Sequence, residues 1–248
     1  ELYSPSGSLL QSGSQIDRAL SEAGTYRIEV RDQSNTNAGD YLMFWEKMSS
    51  PCNATVLSCD QVGNGSLGTG VNPPPWKVYT FTASANDAVT IRTRKISGET
   101  FIPLMELYGP AGNFIASGYN YPLDRVLTAS GTYKIVMRDY YNAYDGDFTL
   151  IWRKVSAPPC NSAPINCGQV ISGSISSSDA INFYTFTASA SDRVTIRFRK
   201  SSGTLTPYIE VYDPSGSRVV STPSQSINTT LTVAGTYTLL VRDQANVG

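Results

Sequence analysis

Val78-Tyr79-Thr80-Phe81-Thr82-Ala83-Ser84-Ala85-Asn86-Asp87-Ala88-Val89-Thr90-Ile91-Arg92-Thr93-Arg94-Lys95 decides the fold. It returns 105 residues later as Phe183-Tyr184-Thr185-Phe186-Thr187-Ala188-Ser189-Ala190 through Lys200, with 14 of 18 positions identical. In the second copy, Val194, Ile196 and Phe198 fall on one face and Thr195, Arg197 and Arg199 on the other. That is the period of a strand with one buried face. The first copy keeps the phase, with Val89 and Ile91 inward and Thr90, Arg92 and Arg94 outward.

Two further blocks occur three times. Glu1-Leu2-Tyr3-Ser4-Pro5-Ser6-Gly7 matches Glu106-Leu107-Tyr108-Gly109-Pro110-Ala111-Gly112 and Glu210-Val211-Tyr212-Asp213-Pro214-Ser215-Gly216. Ala23-Gly24-Thr25-Tyr26, Ser130-Gly131-Thr132-Tyr133 and Ala234-Gly235-Thr236-Tyr237 each lead through an apolar run to Arg-Asp at 31–32, 138–139 and 242–243. The Pro-x-Gly runs place Pro where φ near −65° suits a turn and Gly where positive φ is favoured.

A period of about 105 residues suits a whole domain rather than a solenoid unit. No segment carries a convincing helical period. Seven or eight short strands per unit predict an all-β chain of tandem antiparallel β-sandwiches, jelly-roll-like, joined by short disulfide-containing linkers. The expected division is a C-terminal half-repeat at 1–47, a linker at 48–60, a complete sandwich at 61–155, a second linker at 156–168, and a sandwich at 169–248 lacking its last strand. That missing strand reads Gly39-Asp40-Tyr41-Leu42-Met43-Phe44-Trp45 and Gly146-Asp147-Phe148-Thr149-Leu150-Ile151-Trp152 in the other copies. The incomplete units are expected to be completed by chain continuity or by a strand exchanged between subunits.

The order Gly173-Ser174-Ile175, Tyr184-Thr185-Phe186, an alternating strand, Tyr212 to Gly216, Gly235 to Tyr237 and Gly146 to Leu150 resembles the bacterial pre-peptidase C-terminal domain. The resemblance implies a noncatalytic β-sandwich of the kind carried by secreted proteins, often beside peptidases.

Composition narrows the chemistry. The 248 residues carry 19 Lys and Arg against 20 Asp and Glu, so a nucleic-acid footprint is excluded. Histidine is absent, which removes Ser-His-Asp and Cys-His catalysis and the commonest metal ligand. No stretch has the apolar length of a membrane-spanning helix. The chain reads as no enzyme, because nearly every notable residue recurs whereas a catalytic site occurs once.

Four cysteines form two C-x6-C pairs, Cys52 with Cys59 and Cys160 with Cys167. The spacing departs from zinc and redox motifs. Disulfides within each pair are therefore expected, stiffening each linker and placing the protein outside a reducing cytosol, in the extracellular space or at a cell surface. Asn53, Asn64 and Asn228 open N-x-[ST] sequons and are candidate glycosylation sites.

Carboxylate and amide oxygens gather in one recurring loop: Asp32, Asn35 and Asp40; Asp139, Asn142, Asp145 and Asp147; Asp243 and Asn246. Such spacing makes them candidate Ca²⁺ ligands, and the alternative is Asx-turn hydrogen bonding. No other cofactor is implied. Gly63 to Gly68 matches G-x-G-x-x-G, but it runs into Thr69 to Trp76 rather than a helix, so a loop is expected and not a nucleotide site.

Arg92, Arg94, Arg197 and Arg199 form an outward basic stripe that calls for acidic partners on a neighbouring strand or another subunit. Tyr119, Tyr121, Tyr140, Tyr141 and Tyr144 cluster in the middle repeat alone, as a sugar- or protein-binding patch or as packing against a neighbour. Trp45 and Trp152 end equivalent strands and are expected to pack in a core or between domains. The reading is a noncatalytic structural repeat protein, a segment or subunit of a filament, fibre or stalk whose partners are copies of itself or neighbouring repeats. The alternative is an accessory module of a secreted peptidase or adhesin that binds protein or polysaccharide.

Overall fold

The computed structural model describes residues 1–71, 74–176 and 180–244. The chain divides into two units, Glu1–Trp45 and Glu46–Gly248. The first holds a small antiparallel sheet of β1 (Leu2–Tyr3), β2 (Leu9–Gln11) and β3 (Arg27–Ile28), in the order β2-β1-β3.

The second unit carries two sandwiches. The middle repeat contributes β4 (Thr55–Val56), β5 (Gly63–Leu67), β6 (Trp76–Ala83), β7 (Ala88–Lys95), β8 (Pro103–Tyr108), β9 (Phe114–Gly118), β10 (Leu123–Val126), β11 (Gly131–Asp139) and β12 (Gly146–Lys154). They form a five-stranded sheet, β4-β6-β11-β8-β9, facing a four-stranded one, β10-β7-β12-β5. All pairings are antiparallel except the short β4–β6 contact. The inner faces meet in a core that includes Tyr79, Phe81, Ile91, Leu107, Tyr133, Leu150 and Trp152. Phe81 lies between two rings, with Tyr133 at 5.4 Å and Trp152 at 4.5 Å between centroids.

The third repeat contributes β13 (Ala163–Pro164), β14 (Ile181–Ala188), β15 (Arg193–Arg197), β16 (Pro207–Tyr212), β17 (Arg218–Thr222), β18 (Ser226–Thr230) and β19 (Gly235–Asp243). Its large sheet, β13-β14-β19-β16-β17, repeats that of the middle sandwich strand for strand, but the described residues of its second sheet give only β15 and β18. The alternation read at β7 is genuine in phase, yet β7 is buried on both faces down to Thr93, whereas β15 alternates between half-buried and exposed. The outer face of β7 is covered by the third sandwich.

The repeated Gly-Thr-Tyr and Pro-x-Gly motifs serve one corner. Tyr133 donates its hydroxyl to the carbonyl of Ala129 at 2.6 Å, Tyr237 to that of Val233 at 2.6 Å and Tyr26 to that of Glu22 at 2.9 Å. The glycine two residues before each tyrosine has φ of +143°, +144° or +139° for Gly24, Gly131 and Gly235. A Cβ there would meet Pro5, Pro110 or Pro214 at 2.8–2.9 Å. The third block thus requires glycine because the second supplies the proline against it.

Two sequence expectations fail here. Gly63–Leu67 is a strand and not a loop, pairing antiparallel with β12 from Gly146↔Leu67 to Leu150↔Gly63. Its glycines leave room for Leu57, Tyr79 and Phe148. Of the segment that follows, Thr69 to Trp76, Asn72 and Pro73 lie outside the described residues.

The second correction concerns the disulfide, which joins Cys59 to Cys160, 101 positions apart in the sequence with Cα atoms 6.1 Å apart; Cys52 and Cys167 are free and exposed. Pairing within each linker fails because each linker holds an extended segment between its cysteines. β4 pairs with β6, and Leu57 continues that ladder by donating its amide to the Thr80 carbonyl at 2.8 Å. Strand residues advance ~3.3 Å each, which works against the roughly 7 Å that a disulfide tolerates between Cα atoms. Cys59 lies instead beside the end of β12, where the Lys154 amide approaches its sulfur at 3.4 Å. The bond closes one sandwich, tying its first residues to the residues just after its last strand.

Candidate functional site

The most developed polar site lies where the two sandwiches meet. The outer face of the β7–β12 sheet stacks on the outer face of β14, β19 and β16, so that Ala88 and Val155 pack with Ile181, Phe183, Tyr212 and Leu240 in a buried cluster. At its centre Arg92, 5% exposed, holds Glu210 at 3.4 Å. Glu210 also accepts from Arg242 Nε at 2.9 Å and from the Tyr212 hydroxyl. Burial pushes the Glu210 carboxyl up, but the charges of Arg92 and Arg242 and the Tyr212 hydroxyl outweigh it and hold it below the usual range. Burial and the neighbouring carboxylate push the Tyr212 phenol up. Arg92 thus belongs to no solvated stripe; its acidic partner sits in the next repeat.

The linker is part of the joint. Thr238 Oγ1 donates to the Val155 carbonyl at 2.9 Å, and the Ala88 amide donates to Ser156 Oγ at 3.1 Å. Gly216, at φ +86°, has no room for a Cβ beside Ala88 and Ser156. Arg153 donates to Asp60 at 2.5 Å, and Asn161 bonds the other Asp60 oxygen at 3.3 Å.

The preceding linker repeats the arrangement. Met48, the counterpart of Val155, packs with Val78, Tyr108 and Val136, the counterparts of Phe183, Tyr212 and Leu240. Gly112 meets Met48 and Ser49 as Gly216 meets Ser156. Glu106 accepts from Arg138 at 3.0 Å as Glu210 does from Arg242. In the first unit Glu1 accepts from Arg31 at 2.7 Å and from the Tyr3 hydroxyl. One Glu–Arg–Tyr constellation therefore occurs in all three repeats.

The candidate calcium loops are held by their own backbone. Asp32 accepts from the amides of Thr36 and Asn37 and from Ser34, which hold its carboxyl down at about 2. Asp139 accepts from the amides of Ile102, Tyr141, Ala143 and Tyr144. Asn35 and Asn142 take φ of +57° and +54° in the same turn, a conformation asparagine tolerates well. Asp147 accepts from Ser66 and Ser97, which lower its carboxyl. Asp40 and Asp145 are exposed. Asp243 lies at the end of β19, and Asn246 is outside the described residues. Among the described residues no three acidic or sulfur side chains converge as metal ligands.

Asn53, Asn64 and Asn228 are exposed, and the Asn228 amide oxygen accepts from Thr195. Tyr119, Tyr140, Tyr141 and Tyr144 form a chain of ring contacts 4.6–6.0 Å apart at the surface of the middle sandwich, with Tyr121 exposed nearby in the sequence. Trp152 is core, as its position predicts, and donates its indole N–H to the Leu57 carbonyl at 3.0 Å. Trp45, its equivalent, is 64% exposed. No helix among the described residues is long and apolar enough to cross a membrane.

These features define a class, antiparallel β-sandwiches repeated along one chain, two of which dock within the second unit. Residues 180–243 match the bacterial pre-peptidase C-terminal domain. The match lies within the third repeat, and the first two repeats are related to that stretch by internal repetition. Among solved structures, the pre-peptidase C-terminal domain of a collagenase from Bacillus anthracis is similar at 20% identity, over 42% of this chain and 97% of that one, with a TM-score of 0.33. PliG of Aeromonas hydrophila, a periplasmic inhibitor of g-type lysozyme, is similar at 14% identity, over 40% of this chain and 95% of that one, at 0.29. The CUB1-EGF-CUB2 domains of rat MASP-1 follow at 10% identity, over 79% and 96%, at 0.23. No match was found among curated proteins.

Proposed function

We propose that this is a noncatalytic, extracellular structural repeat protein, a segment or subunit of a surface filament, fibre or stalk. The observation that carries this reading is the recurrence of the junction's residues along the chain. The face that stacks is not the face that receives, so the contact is heterologous, and a heterologous contact that does not close into a ring propagates. Each repeat offers the receiving constellation, as Glu1 with Arg31, Glu106 with Arg138 and Glu210 with Arg242. Arg197 stands on the third sandwich where Arg92 stands on the middle one. The disulfide that closes the middle sandwich supports an oxidising location. Light scattering and electron microscopy of the purified protein test this: elongated assemblies are expected, and a monodisperse monomer that forms no fibre at high concentration overturns it.

A second reading, an accessory module of a secreted peptidase or adhesin, is favoured by the exposed tyrosines of the middle sandwich. Aromatic rings with polar tips suit a carbohydrate or protein ligand. Loss of binding to a polysaccharide or protein target in Tyr141→Ala, with unchanged folding, supports it.

A further inference from the structure

The tyrosines of the middle sandwich fall into two groups. Those that recur along the chain use their hydroxyls inside the protein: Tyr26, Tyr133 and Tyr237 bond the backbone four residues earlier, and Tyr3 and Tyr212 bond Glu1 and Glu210. The hydroxyls of Tyr119, Tyr121, Tyr140, Tyr141 and Tyr144 have no hydrogen-bond partner among the described residues, and these residues are 40–74% exposed.

The scaffold beneath these rings recurs, whereas the rings do not. Asp139 winds the β11–β12 turn by accepting from the amides of Tyr141, Ala143 and Tyr144, and Asp32 winds the equivalent turn by accepting from those of Thr36 and Asn37. The Tyr140 amide donates to the Ile102 carbonyl at 2.9 Å, as the Gln244 amide does to that of Thr206 at 2.6 Å. At the places of Tyr140, Tyr141 and Tyr144 the first repeat carries Gln33, Ser34 and Asn37. Folding of the turn therefore does not call for the rings. Exposed side chains that one repeat alone carries, on a loop pinned by a shared scaffold, are placed as binding residues are.

A cavity of about 200 Å³ adjoins them, lined by Thr93, Lys95, Phe101, Ile102, Pro103 and Asn120. Asn120, at φ +61°, stands between Tyr119 and Tyr121 in the β9–β10 turn. Ile102 is tied to the tyrosine turn a second time, through its amide to Asp139 at 3.0 Å. Tyr119 and Tyr140, from the two turns, meet at 4.6 Å. Cavity and rings thus form one continuous, pinned surface. At about 30 Å³ per water the cavity has room for about six or seven waters, which is the bulk of a single sugar ring.

The lining is rich in donors. Lys95 donates to the Glu99 carbonyl at 3.1 Å, which leaves its other ammonium protons without a protein acceptor among the described residues, and the Asn120 side chain has no partner there either. Lys95 is the single charged residue of the lining. Asp139, the carboxylate against this wall, is taken up by amides. A neutral sugar calls for acceptors as well as donors. Spare donors and a cation with no carboxylate among the lining residues match a sugar that brings its own carboxylate, and tyrosine rings with free hydroxyls suit the apolar faces and hydroxyl edges of the units beside it. We propose that the cavity and the tyrosines bind an acidic polysaccharide, with one uronic acid ring in the cavity, its carboxylate on Lys95, and neighbouring units on Tyr140 and Tyr141. This rests on the accessory-module reading above and names its ligand.

Native electrophoresis of the full chain in gels containing polygalacturonate, beside gels with hydroxyethylcellulose and gels with no polymer, tests this. Retardation by polygalacturonate alone is expected, weakening as salt is added. Lys95→Met and Tyr141→Ala are each expected to weaken it about tenfold or more with their urea midpoints unchanged, Lys95→Arg to retain it, and Gln244→Ala, on the equivalent turn of the third repeat, to leave it as it is. Equal retardation by both polymers, or undiminished retardation of Lys95→Met, overturns the acidic-sugar inference and leaves the module reading standing. Undiminished retardation of Tyr141→Ala overturns both. Retardation by neither polymer overturns the inference, and the module reading falls with it unless a protein target binds the native chain and not Tyr141→Ala.

Discussion

Arg92 of the middle sandwich holds Glu210 of the third at 3.4 Å in a site where both side chains are at most 5% exposed. A residue that alternation places on a strand's outer face is thereby turned into the centre of a domain junction. Truncating Glu210 to Ala leaves Arg92 and Arg242 facing one another without their carboxylate, and a loss of about 3–5 kcal/mol is expected from a buried pair broken on one side. Truncating Arg92 costs less, since Arg242 still answers the carboxylate. Urea denaturation of the two variants checks the order.

The same carboxylate sets an acid limit. Its folded-state value lies below the unfolded one, so the native state binds fewer protons over the interval between them. The stabilisation is complete above the unfolded value, about pH 4.3, and is lost as pH falls through the folded one. Stability measured from pH 7 downwards is expected to fall more steeply below about pH 4.3 in the native protein than in Glu210→Gln.

Closing the middle sandwich with Cys59–Cys160 constrains a loop of about 100 residues, worth ~4.7 kcal/mol in the loop-entropy model, against ~2.5 for the short loop expected within a linker. Cys160→Ser is therefore expected to lower stability by about 2–5 kcal/mol. Cys52→Ser, at a free thiol, is expected to leave the unfolding of a single chain unchanged.

The tyrosine clips give a matched pair. Tyr133→Phe and Tyr237→Phe each remove one hydroxyl bonded to the backbone four residues earlier, and each is expected to cost about 1 kcal/mol. Hydrogen exchange is expected to place the loss in the middle sandwich for the first and in the third for the second.

At the junction, Gly216→Ala meets both a positive φ and a filled site beside Ala88 and Ser156, whereas Gly7→Ala meets the same φ with nothing within 4 Å. Gly216→Ala is expected to loosen the pair of sandwiches, read as a larger radius of gyration by X-ray scattering, and Gly7→Ala to leave it unchanged.

Much of this was legible in the sequence because it repeats. The 105-residue period, the strand phase at Val194, Ile196 and Phe198, and the Pro and Gly turns each follow from local rules that hold whatever the neighbours do. What was not legible depends on the neighbours. Arg92 reads as a surface residue until the next sandwich covers it. The C-x6-C spacing suggests a local bridge until β4 stretches the residues between the cysteines apart. A signal for the true pairing was present, since Cys59 and Cys160 lie 101 residues apart, close to one repeat. Gly63 to Gly68 looked like a loop because its glycines answer to Tyr79 and Phe148, residues distant in the sequence. The Asp–Asn loops match two chemistries equally well, and the backbone amides gathered on Asp32 and Asp139 belong to turn geometry that residue spacing alone does not reveal.

The central claim is that the middle sandwich is closed on itself by the Cys59–Cys160 disulfide and docked on the third through Arg92 and Glu210. Peptide mapping of the oxidised protein under non-reducing conditions tests the closure most directly. The account predicts a single linked pair of peptides, carrying Cys59 and Cys160, in every uncrosslinked chain. Bridges of Cys52 to Cys59 and Cys160 to Cys167 would contradict it.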